Sequence, residues 1–281
     1  MPHKVHPSIA PVGIIGGTGF YRMELEQQQS FDEDTPFGEC KLSCGILGDR
    51  RVVFAARHGI HHDFLPGEVN YRAVIYALKK QGVRKVFAFC MVGALKKELC
   101  PGDIVIPDQF IDLTHGRLNT FFGKGNSVYV SMADPFCPVL SSFAADEVLA
   151  LGLTVHRGGT YICVQGPHFS TRAESQFFSG FGDIIGMTAA TEAKLAREAG
   201  LCYTVIASVV DYDTCGMGMK DMRKVIMNVD RAAKKLSCHA PPPISCKCAG
   251  SLSGAIVSGS DLFDIIGGGG HSSMFNMKPH Q

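Results

Sequence analysis

The sequence predicts an α/β protein, a single domain in which helices flank a mixed, mainly parallel sheet. Apolar segments of strand length alternate with segments of helical periodicity over most of the chain, an arrangement that builds parallel sheets. Segments such as 201–210 are apolar almost throughout, which is typical of strands buried on both faces. No linker-like change of composition precedes residue 240, so we assign one domain to residues 1–258.

The first half of the chain opens with a buried strand over 12–15, which leads into the glycine-rich segment 16–19. A helix is predicted over 71–81, and Gly82 follows it in the position where glycine commonly ends a helix. The other elements predicted in this half are strands over 52–56, 83–91 and 103–107.

The same alternation continues in the second half. Helices over 141–151 and 192–199 are each followed by a glycine, and a longer helix is predicted from about 222 to 236. The predicted strands cover 160–164, 183–188 and 201–210. We expect residues 214–220, rich in glycine and methionine, to form a flexible lid. Residues 259–281, with four consecutive glycines and a polar end, are expected to form a flexible tail.

Composition excludes several classes of partner. The 281 residues are 46% hydrophobic with a formal net charge of +1, so neither a basic nucleic-acid surface nor an acidic tail is expected. No run of 18 apolar residues occurs, and the first residues do not resemble a secretory signal. Eleven cysteines without secretory features favour reduced thiols. We therefore expect a cytoplasmic protein that binds neither membranes nor nucleic acid.

The cysteines do not predict a metal site. The CKC sequence at 246–248 is closer spaced than the usual C-x-x-C zinc knuckle and has no second matching pair. The Cys-His pair at 238–239 is separated from it by a rigid spacer containing three prolines, and no acidic residue supports it. The remaining cysteines in apolar surroundings are predicted to pack as small hydrophobes; they are Cys100, Cys137, Cys163 and Cys202.

The sequence Asp211-Tyr212-Asp213 follows the apolar strand predicted over 201–210. Open α/β sheets bind their ligands at the carboxyl ends of the strands. Side chains two residues apart on an extended segment point the same way, so Asp211 and Asp213 can reach one ligand. A carboxyl beside an apolar wall retains its proton more readily, which would suit a proton donor. The alternative is that both acids cap the next turn.

Other strand ends carry residues suited to an anion. The segment 16–19 offers backbone N–H groups and the Thr18 hydroxyl, although its glycine spacing is not that of the dinucleotide fingerprint. Arg57 and His58 supply a fixed cation and a titratable donor, and Thr188 adds a hydroxyl. Each feature alone is compatible with a plain turn or a polar rim. Together they indicate a phosphate site at one edge of the sheet.

Several motifs, in order, resemble the methylthioadenosine phosphorylase branch of the trimeric purine nucleoside phosphorylases. The resemblance covers roughly residues 10–258. The motifs are GIIGGTG at 13–19, DTPFG at 34–38, ARHG at 56–59, VNYRA at 69–73, PGDIVI at 101–106, DQFID at 108–112, MADPFCP at 132–138, QGPHFSTRAE at 165–174, DYD at 211–213 and CKC at 246–248.

The resemblance implies that phosphate attacks C1′ of a purine nucleoside and releases the base, with inorganic phosphate as co-substrate and no other cofactor. It places Asp211 as the acid that protonates N7, and Asp213 as acceptor from a 6-amino group. It also implies a homotrimer. The residues implied to bind phosphate are Thr18, Arg57, His58, Met91 (through its backbone) and Thr188. Those implied to contact the nucleoside are Phe169, which stacks on the base, and Met187, beneath the ribose.

The chain departs from the family pattern at positions that bear on specificity. Cys90 and Met91 stand where the family has a small hydroxyl or amide residue and then alanine. Gly186 replaces an asparagine and resembles the 6-oxopurine relatives, while Tyr129 stands where many members have a histidine that reaches a neighbouring subunit's 5′ pocket. Ser170 is a further candidate for specificity. These residues leave the 5′ substituent and the base open.

Three other functions remain as alternatives at the level of the sequence. The first is a phosphorylase of 6-oxopurine nucleosides, favoured by Gly186. The second is a degenerate homologue that binds a nucleoside without turnover, suggested by Cys90 and Met91 and opposed by the retained Asp211. The third is a short-chain dehydrogenase, which resembles the chain at 16–20; its Tyr-x-x-x-Lys spacing occurs only at Tyr76 and Lys80, too close behind that loop.

Overall fold

The structure of the protein is a computed structural model that describes residues 10–123, 126–213, 219–241, 245–253 and 255–258. The strands are β1 (Val12–Gly16), β2 (Glu26–Thr35), β3 (Gly38–Leu47), β4 (Arg50–Ala56), β5 (Lys85–Ala94), β6 (Ile104–Ile106), β7 (Gln109–Asp112), β8 (Ser127–Tyr129), β9 (Val155–Arg157), β10 (Thr160–Cys163), β11 (Ile184–Gly186), β12 (Cys202–Tyr212) and β13 (Ile256–Ser258). The helices are α1 (Tyr71–Lys80), α2 (Pro138–Leu149), α3 (Arg172–Phe178), α4 (Ala189–Glu198) and α5 (Met219–His239).

Strand β5 is the centre of the large sheet. It pairs in parallel with β1 and β12 and antiparallel with β11. On one side the sheet continues through β1 and β4 to the hairpin of β2 and β3, and on the other through β11 and β10 to β7. Strand β12 also pairs with β6, which pairs with β9. Most of these pairings are parallel, so the predicted mixed, mainly parallel sheet is confirmed.

Two cores lie on the two faces of this sheet. One contains the apolar side chains of α1 and α4, and the other those of α2 and α5. The strands between them are buried on both faces, as β5 and β12 are over most of their length. This burial explains why their sequences are apolar without alternation.

The predicted elements exist, with shifted ends. Helix α2 begins at Pro138 rather than 141, because proline is well tolerated in the first turn and Cys137 before it is extended. Helix α4 begins at Ala189, directly behind Thr188. The hairpin of β2 and β3 was not predicted, because the sequence of β2 is polar and its residues are mostly exposed. Strand β12 extends to Tyr212, so that Asp211 lies within it.

Two predictions fall wholly or largely on residues outside those described. These are the flexible tail over 259–281 and most of the lid over 214–220, whose last two residues begin α5. Within the described part of the chain, no helix combines the length and the apolar character needed to cross a membrane.

Candidate active site

Residues from β4, β5 and the α4 N-terminus meet at one end of the sheet. The thiol of Cys90, on β5, joins them: its Sγ atom lies 3.7 Å from Arg57 Nη2 and 3.6 Å from Thr188 Oγ1. Arg57 follows β4, and Thr188 immediately precedes α4. The structure therefore brings together two residues, Arg57 and Thr188, that the sequence could only place at separate strand ends.

Arg57 is buried in an ion pair with Glu192. Its Nε and Nη2 groups donate to the two carboxylate oxygens of Glu192, and both side chains are inaccessible to solvent. Nη1 donates to the Phe89 carbonyl at 3.1 Å. The phenol of Tyr203 donates to Glu192 as well, at 2.7 Å. A buried pair of this kind has no net charge, so Arg57 alone does not make the site positive.

The segment behind β1 lies directly on the Arg57 guanidinium. A Cβ atom at position 17 would be 2.7 Å from Arg57 Nη1 and 2.6 Å from the Phe89 carbonyl oxygen, so only glycine allows this approach. Thr18 is the next residue and is partly exposed. The close contact brings the backbone beside Thr18 next to the Arg57 guanidinium.

His58 is a neutral imidazole in the interior. Burial, with the neighbouring charge of Arg57, lowers the pKa of His58 to about 4. Its Nδ1 lies 2.9 Å from the Phe64 carbonyl, which can only accept, so Nδ1 carries the proton and Nε2 is left as an acceptor. The ring stacks on His62 at a centroid distance of 4.7 Å. At neutral pH the Nε2 of His58 can therefore accept an O–H hydrogen bond.

Thr188 presents its hydroxyl at the N-terminus of α4. It is the N-cap residue, but its side chain makes no capping hydrogen bond. The first N–H groups of a helix have no partners within the helix and favour an anion. Because Glu192 offsets the charge of Arg57, this helix end adds positive potential that the ion pair does not supply.

Met91 follows Cys90 on β5. Its side chain is partly buried, and its terminal methyl is 3.2 Å from the position of a Cβ atom on Gly19. The thioether therefore reaches over the loop behind β1. The bulky residue that the sequence identified as unusual packs against that loop.

Asp211 occupies an irregular part of β12. The register between β12 and β5 shifts between Val209 and Asp211, and Asp211 then pairs with Gly93. Such a bulge turns a side chain away from the direction that regular pleating would give it. Burial, with the charge of Asp213, raises the pKa of Asp211 to about 6. Asp211 can thus hold a proton close to neutral pH, as the sequence predicted for an acid beside an apolar strand.

Asp213 has one paired and one unpaired oxygen. Oδ1 accepts a hydrogen bond from the Ser170 hydroxyl at 3.2 Å. Oδ2 is buried and has no hydrogen-bond partner among the described residues. A buried carboxylate oxygen without a donor is costly, and a ligand N–H would satisfy it. Ser170, which the sequence identified only as a specificity candidate, positions this carboxylate.

Gly186 and Met187 are fixed by packing. A Cβ atom on Gly186 would overlap the hydroxyl of the buried Tyr161, so this aromatic side chain occupies the space of any larger residue at 186. The Met187 side chain packs against Gly166, and its carbonyl accepts from Arg117 Nη1 at 2.6 Å.

Two predicted contact residues are exposed. Phe169 is 77% exposed on the segment before α3, and Tyr129 is 67% exposed at the end of β8. Neither is packed into the sites formed by the buried residues above. Phe169 is close in sequence to Ser170, which contacts Asp213, so the loop brings it toward the two acids.

Sequence reasoning missed two residues that organise the site. Glu192 was placed in a helix without a role, although it holds Arg57. Arg117 was not singled out; it donates to the Gln165 carbonyl at 2.7 Å and to the Met187 carbonyl, and so connects the loop before Phe169 to the end of β11. Both lie far in sequence from their partners. The signal that could have indicated them is a charged residue in an otherwise apolar or uncharged segment.

The geometry offers two chemical functions near one strand. Cys90 lies at the end with Arg57, Thr188 and the α4 N-terminus, groups suited to an anion, and Gly93, which pairs with Asp211, lies at the acidic end. Three residues of an extended strand separate them by about 10 Å. A neutral imidazole, a helix N-terminus and a hydroxyl at one end, and a protonatable acid at the other, suit the transfer of a sugar between an anion and a leaving base.

Comparisons with known proteins match most of the chain. The sequence model of the phosphorylase superfamily matches residues 11–239. The chain is 46% identical over 261 residues to the S-methyl-5′-thioadenosine phosphorylase of Geobacter sulfurreducens, covering 88% of this chain and 91% of the relative. It is 44% identical to that of Pyrococcus abyssi, covering 86% and 97%. A methylthioadenosine phosphorylase structure from an Antarctic soil metagenomic library superposes with a TM-score of 0.81 at 38% identity, covering 87% and 91%.

Proposed function

The chain belongs to the phosphorylase superfamily, and from this membership we infer that it converts 5′-methylthioadenosine and phosphate to adenine and 5-methylthioribose 1-phosphate. It is thus a pentosyltransferase of the purine nucleoside phosphorylase type, like relatives that share more than two fifths of its residues. The observation that supports this substrate most directly is the pair of carboxyl groups at the end of β12. One carboxyl has a pKa of about 6, and the other has an unpaired buried oxygen.

The carboxyl pair matches a 6-aminopurine. Protonated Asp211 donates to N7 of the departing base, where negative charge develops as the glycosidic bond breaks. Asp213 Oδ2 accepts from the exocyclic amine, while Ser170 holds Oδ1. A 6-oxopurine would instead present a carbonyl lone pair to Oδ2 and leave two acceptors facing each other.

The anion-binding end matches phosphate. The α4 N-terminus, the Thr188 and Thr18 hydroxyls and the backbone N–H of Met91 would donate to its oxygens. Arg57 offers its remaining Nη1–H, and the neutral His58 Nε2 accepts the O–H of monohydrogen phosphate. Holding the nucleophile at this end aligns it with C1′ and removes much of the entropic cost of the encounter. No further cofactor takes part in the proposed reaction.

The 6-oxopurine alternative rested on Gly186, and the packing gives that glycine another cause. The Tyr161 hydroxyl occupies the space that a side chain at 186 would need. Glycine is therefore required by a buried neighbour irrespective of which base binds. This leaves the two acids as the features that bear on the base.

The test is a phosphorolysis assay with three substrates, 5′-methylthioadenosine, methylthioinosine and inosine, each with and without phosphate. We expect phosphate-dependent release of adenine and the highest kcat/KM for 5′-methylthioadenosine. A higher kcat/KM for methylthioinosine would contradict the 6-amino assignment and keep the phosphorylase assignment. Nucleoside binding without turnover of any substrate would contradict both.

We propose that the active form is a cytoplasmic homotrimer in which each copy lends a residue to its neighbour's 5′ pocket. Tyr129 is suited to that role, since it is a large aromatic side chain that its own chain leaves 67% exposed. A neighbouring copy would cover it and gain an apolar contact for the methylthio group. Light scattering should give a mass of about three chains.

A further inference from the structure

Four cysteine sulfurs from three separate parts of the chain converge on one point, away from the site described above. Cys137 directly precedes α2, Cys202 begins β12, and Cys246 and Cys248 follow α5. Their Sγ atoms all lie within 4.8 Å of one another. Cys137, Cys202 and Cys248 are buried, and Cys246 is partly buried.

We propose that these four thiols bind one structural Zn²⁺ ion as a closed tetrathiolate site. Zinc–sulfur bonds of about 2.3 Å in a tetrahedron separate the sulfurs by about 3.8 Å. The sulfurs here lie within 4.8 Å of one another, with the Cys202–Cys246 pair at 3.3 Å, so changes of about 1 Å or less in these distances would bring all four to the tetrahedral separation. Zinc prefers thiolate ligands, and a site with four protein ligands leaves no position open for catalysis.

The arrangement suits a metal better than two disulfides. A disulfide needs two sulfurs at about 2.05 Å and places no demand on a second pair. A single tetrahedral ion requires that all four sulfurs be neighbours of one another, and this is what the cluster shows. The C-x-C spacing that fits a zinc knuckle poorly is sufficient here, because the other two ligands come from the folded core.

The two ligands from the core are held by backbone hydrogen bonds. The N–H of Cys137 donates to the Tyr203 carbonyl at 2.8 Å, and the N–H of Cys202 donates to the Arg84 carbonyl at 2.9 Å. Cys137 also lies at the N-terminus of α2, which favours a thiolate. These two ligands are therefore positioned by β5, β12 and α2 and not by the C-terminal segment.

A buried lysine accompanies the cluster. Lys85 pairs with Cys202 in the register between β5 and β12 and is only 9% exposed. A zinc ion with four thiolates has a net charge of −2, which a neighbouring ammonium offsets. An uncharged cluster of four thiols gives no such reason for a buried lysine.

The consequence is that zinc would attach the C-terminal segment to the body of the protein. Among the described residues, Ser251 Oγ also joins this segment to the body by donating to the Arg197 carbonyl at 2.5 Å. Its last described strand, β13, pairs with β8, which carries Tyr129. A metal at the start of this segment would thus also fix the strand on which Tyr129 lies.

The test begins with the metal content of the full chain, purified without added metal or chelator. Elemental analysis by mass spectrometry should find about one zinc ion per chain. Cys248→Ser should lower zinc content at least tenfold. The matched control is Cys238→Ser, a nearby cysteine that lies instead beside the Leu47 carbonyl and should leave zinc content unchanged.

A second measurement keeps the proposal testable if the variants fold poorly. Replacing zinc by Co²⁺ in the unaltered chain should give the near-ultraviolet thiolate-to-cobalt band and the intense visible bands of a tetrahedral site. Absence of zinc together with four thiols lost to oxidation would establish disulfides and overturn the proposal. Absence of zinc with four titratable thiols and no cobalt spectrum would overturn it too. Phosphorolysis, assayed on the same samples, tests the proposed function separately.

Discussion

The phosphate end and the base end of the candidate site are built in opposite ways. At the phosphate end Arg57, Glu192 and Thr188 are buried, and the guanidinium is fixed by a two-point ion pair. At the base end Asp213 keeps an unpaired oxygen, and Phe169 is 77% exposed. At the proposed phosphate end the buried charges are already paired with each other, whereas at the proposed base end a buried carboxylate oxygen has no partner among the described residues.

This difference separates the consequences of mutation at the two ends. Residues of the phosphate end support the fold as well as the ligand, so their loss should affect stability and phosphate binding together. Asp211 and Asp213, at the proposed base end, make no ion pair among the described residues, so their loss should affect rate and specificity more than stability. Mutations at the two ends test whether this division holds.

The largest effect is expected for Arg57→Ala, which leaves the Glu192 carboxylate buried without its partner. Breaking a buried pair in this way costs about 3–5 kcal/mol of unfolding free energy. The KM for phosphate should rise far more than that for the nucleoside. Denaturant unfolding and steady-state kinetics measure the two effects. Arg51→Ala, on the strand β4 that Arg57 follows, is the control and should change stability little, because Arg51 makes only an exposed hydrogen bond with Gln81. An unchanged free energy of unfolding in Arg57→Ala would contradict the proposed difference between the two ends.

The sequence predicted the buried strands and the residues at their ends, but not the contacts between distant side chains. The buried strands β5 and β12 were predictable because apolar runs indicate them, and strand-end residues such as Arg57 and Thr188 follow from topology. The pairing of Arg57 with Glu192 was not predictable, since 135 residues separate the two and helical periodicity assigns the acid no partner.

The bulge in β12 shows a second limit. Alternation places Asp211 and Asp213 on one face, but it gives no sign that the register shifts after Val209. Likewise, Cys137 and Cys202 were expected to pack as separate small hydrophobes, and the structure gathers them with Cys246 and Cys248. Spacing along the chain reveals local sites, whereas this cluster depends on how distant segments pack.

Asp211→Asn should show the largest purely kinetic effect. Loss of a general acid lowers kcat/KM by about 10²-fold or more. In the unaltered protein kcat/KM should fall as pH rises above about 6, because Asp211 then loses the proton it donates. The variant should lack this dependence and unfold at an unchanged denaturant concentration. Asp32→Asn, an exposed carboxyl on β2, is the control. An unaltered rate with 5′-methylthioadenosine would remove Asp211 from the mechanism.

Asp213→Asn should change specificity more than rate. The Asn amide can donate where the carboxylate accepted, so kcat/KM for 5′-methylthioadenosine relative to methylthioinosine should fall by about ten- to a hundredfold. The charge of Asp213 also helps to raise the pKa of Asp211, so the alkaline fall in rate should move to lower pH. Ser170→Ala, which removes only the hydrogen bond to Oδ1, should keep the 6-amino preference. If Asp213→Asn kept the preference for 5′-methylthioadenosine over methylthioinosine, a contact between Asp213 and the edge of the base would be excluded.

The smallest effect is expected for Tyr129→Ala, and it tests whether a neighbouring copy completes the 5′ pocket. Within one chain Tyr129 is 67% exposed, so its loss should not change the stability of an isolated chain. If a neighbouring copy covers it, the loss of an aromatic contact of about 0.5–1.5 kcal/mol should raise the KM for 5′-methylthioadenosine about two- to tenfold. The KM for adenosine, which lacks the methylthio group, should change less. Leu118→Ala, which removes another exposed apolar side chain, is the control. A fully active monomer in light scattering would contradict the shared pocket, and an equal change for both nucleosides would place Tyr129 away from the 5′ group.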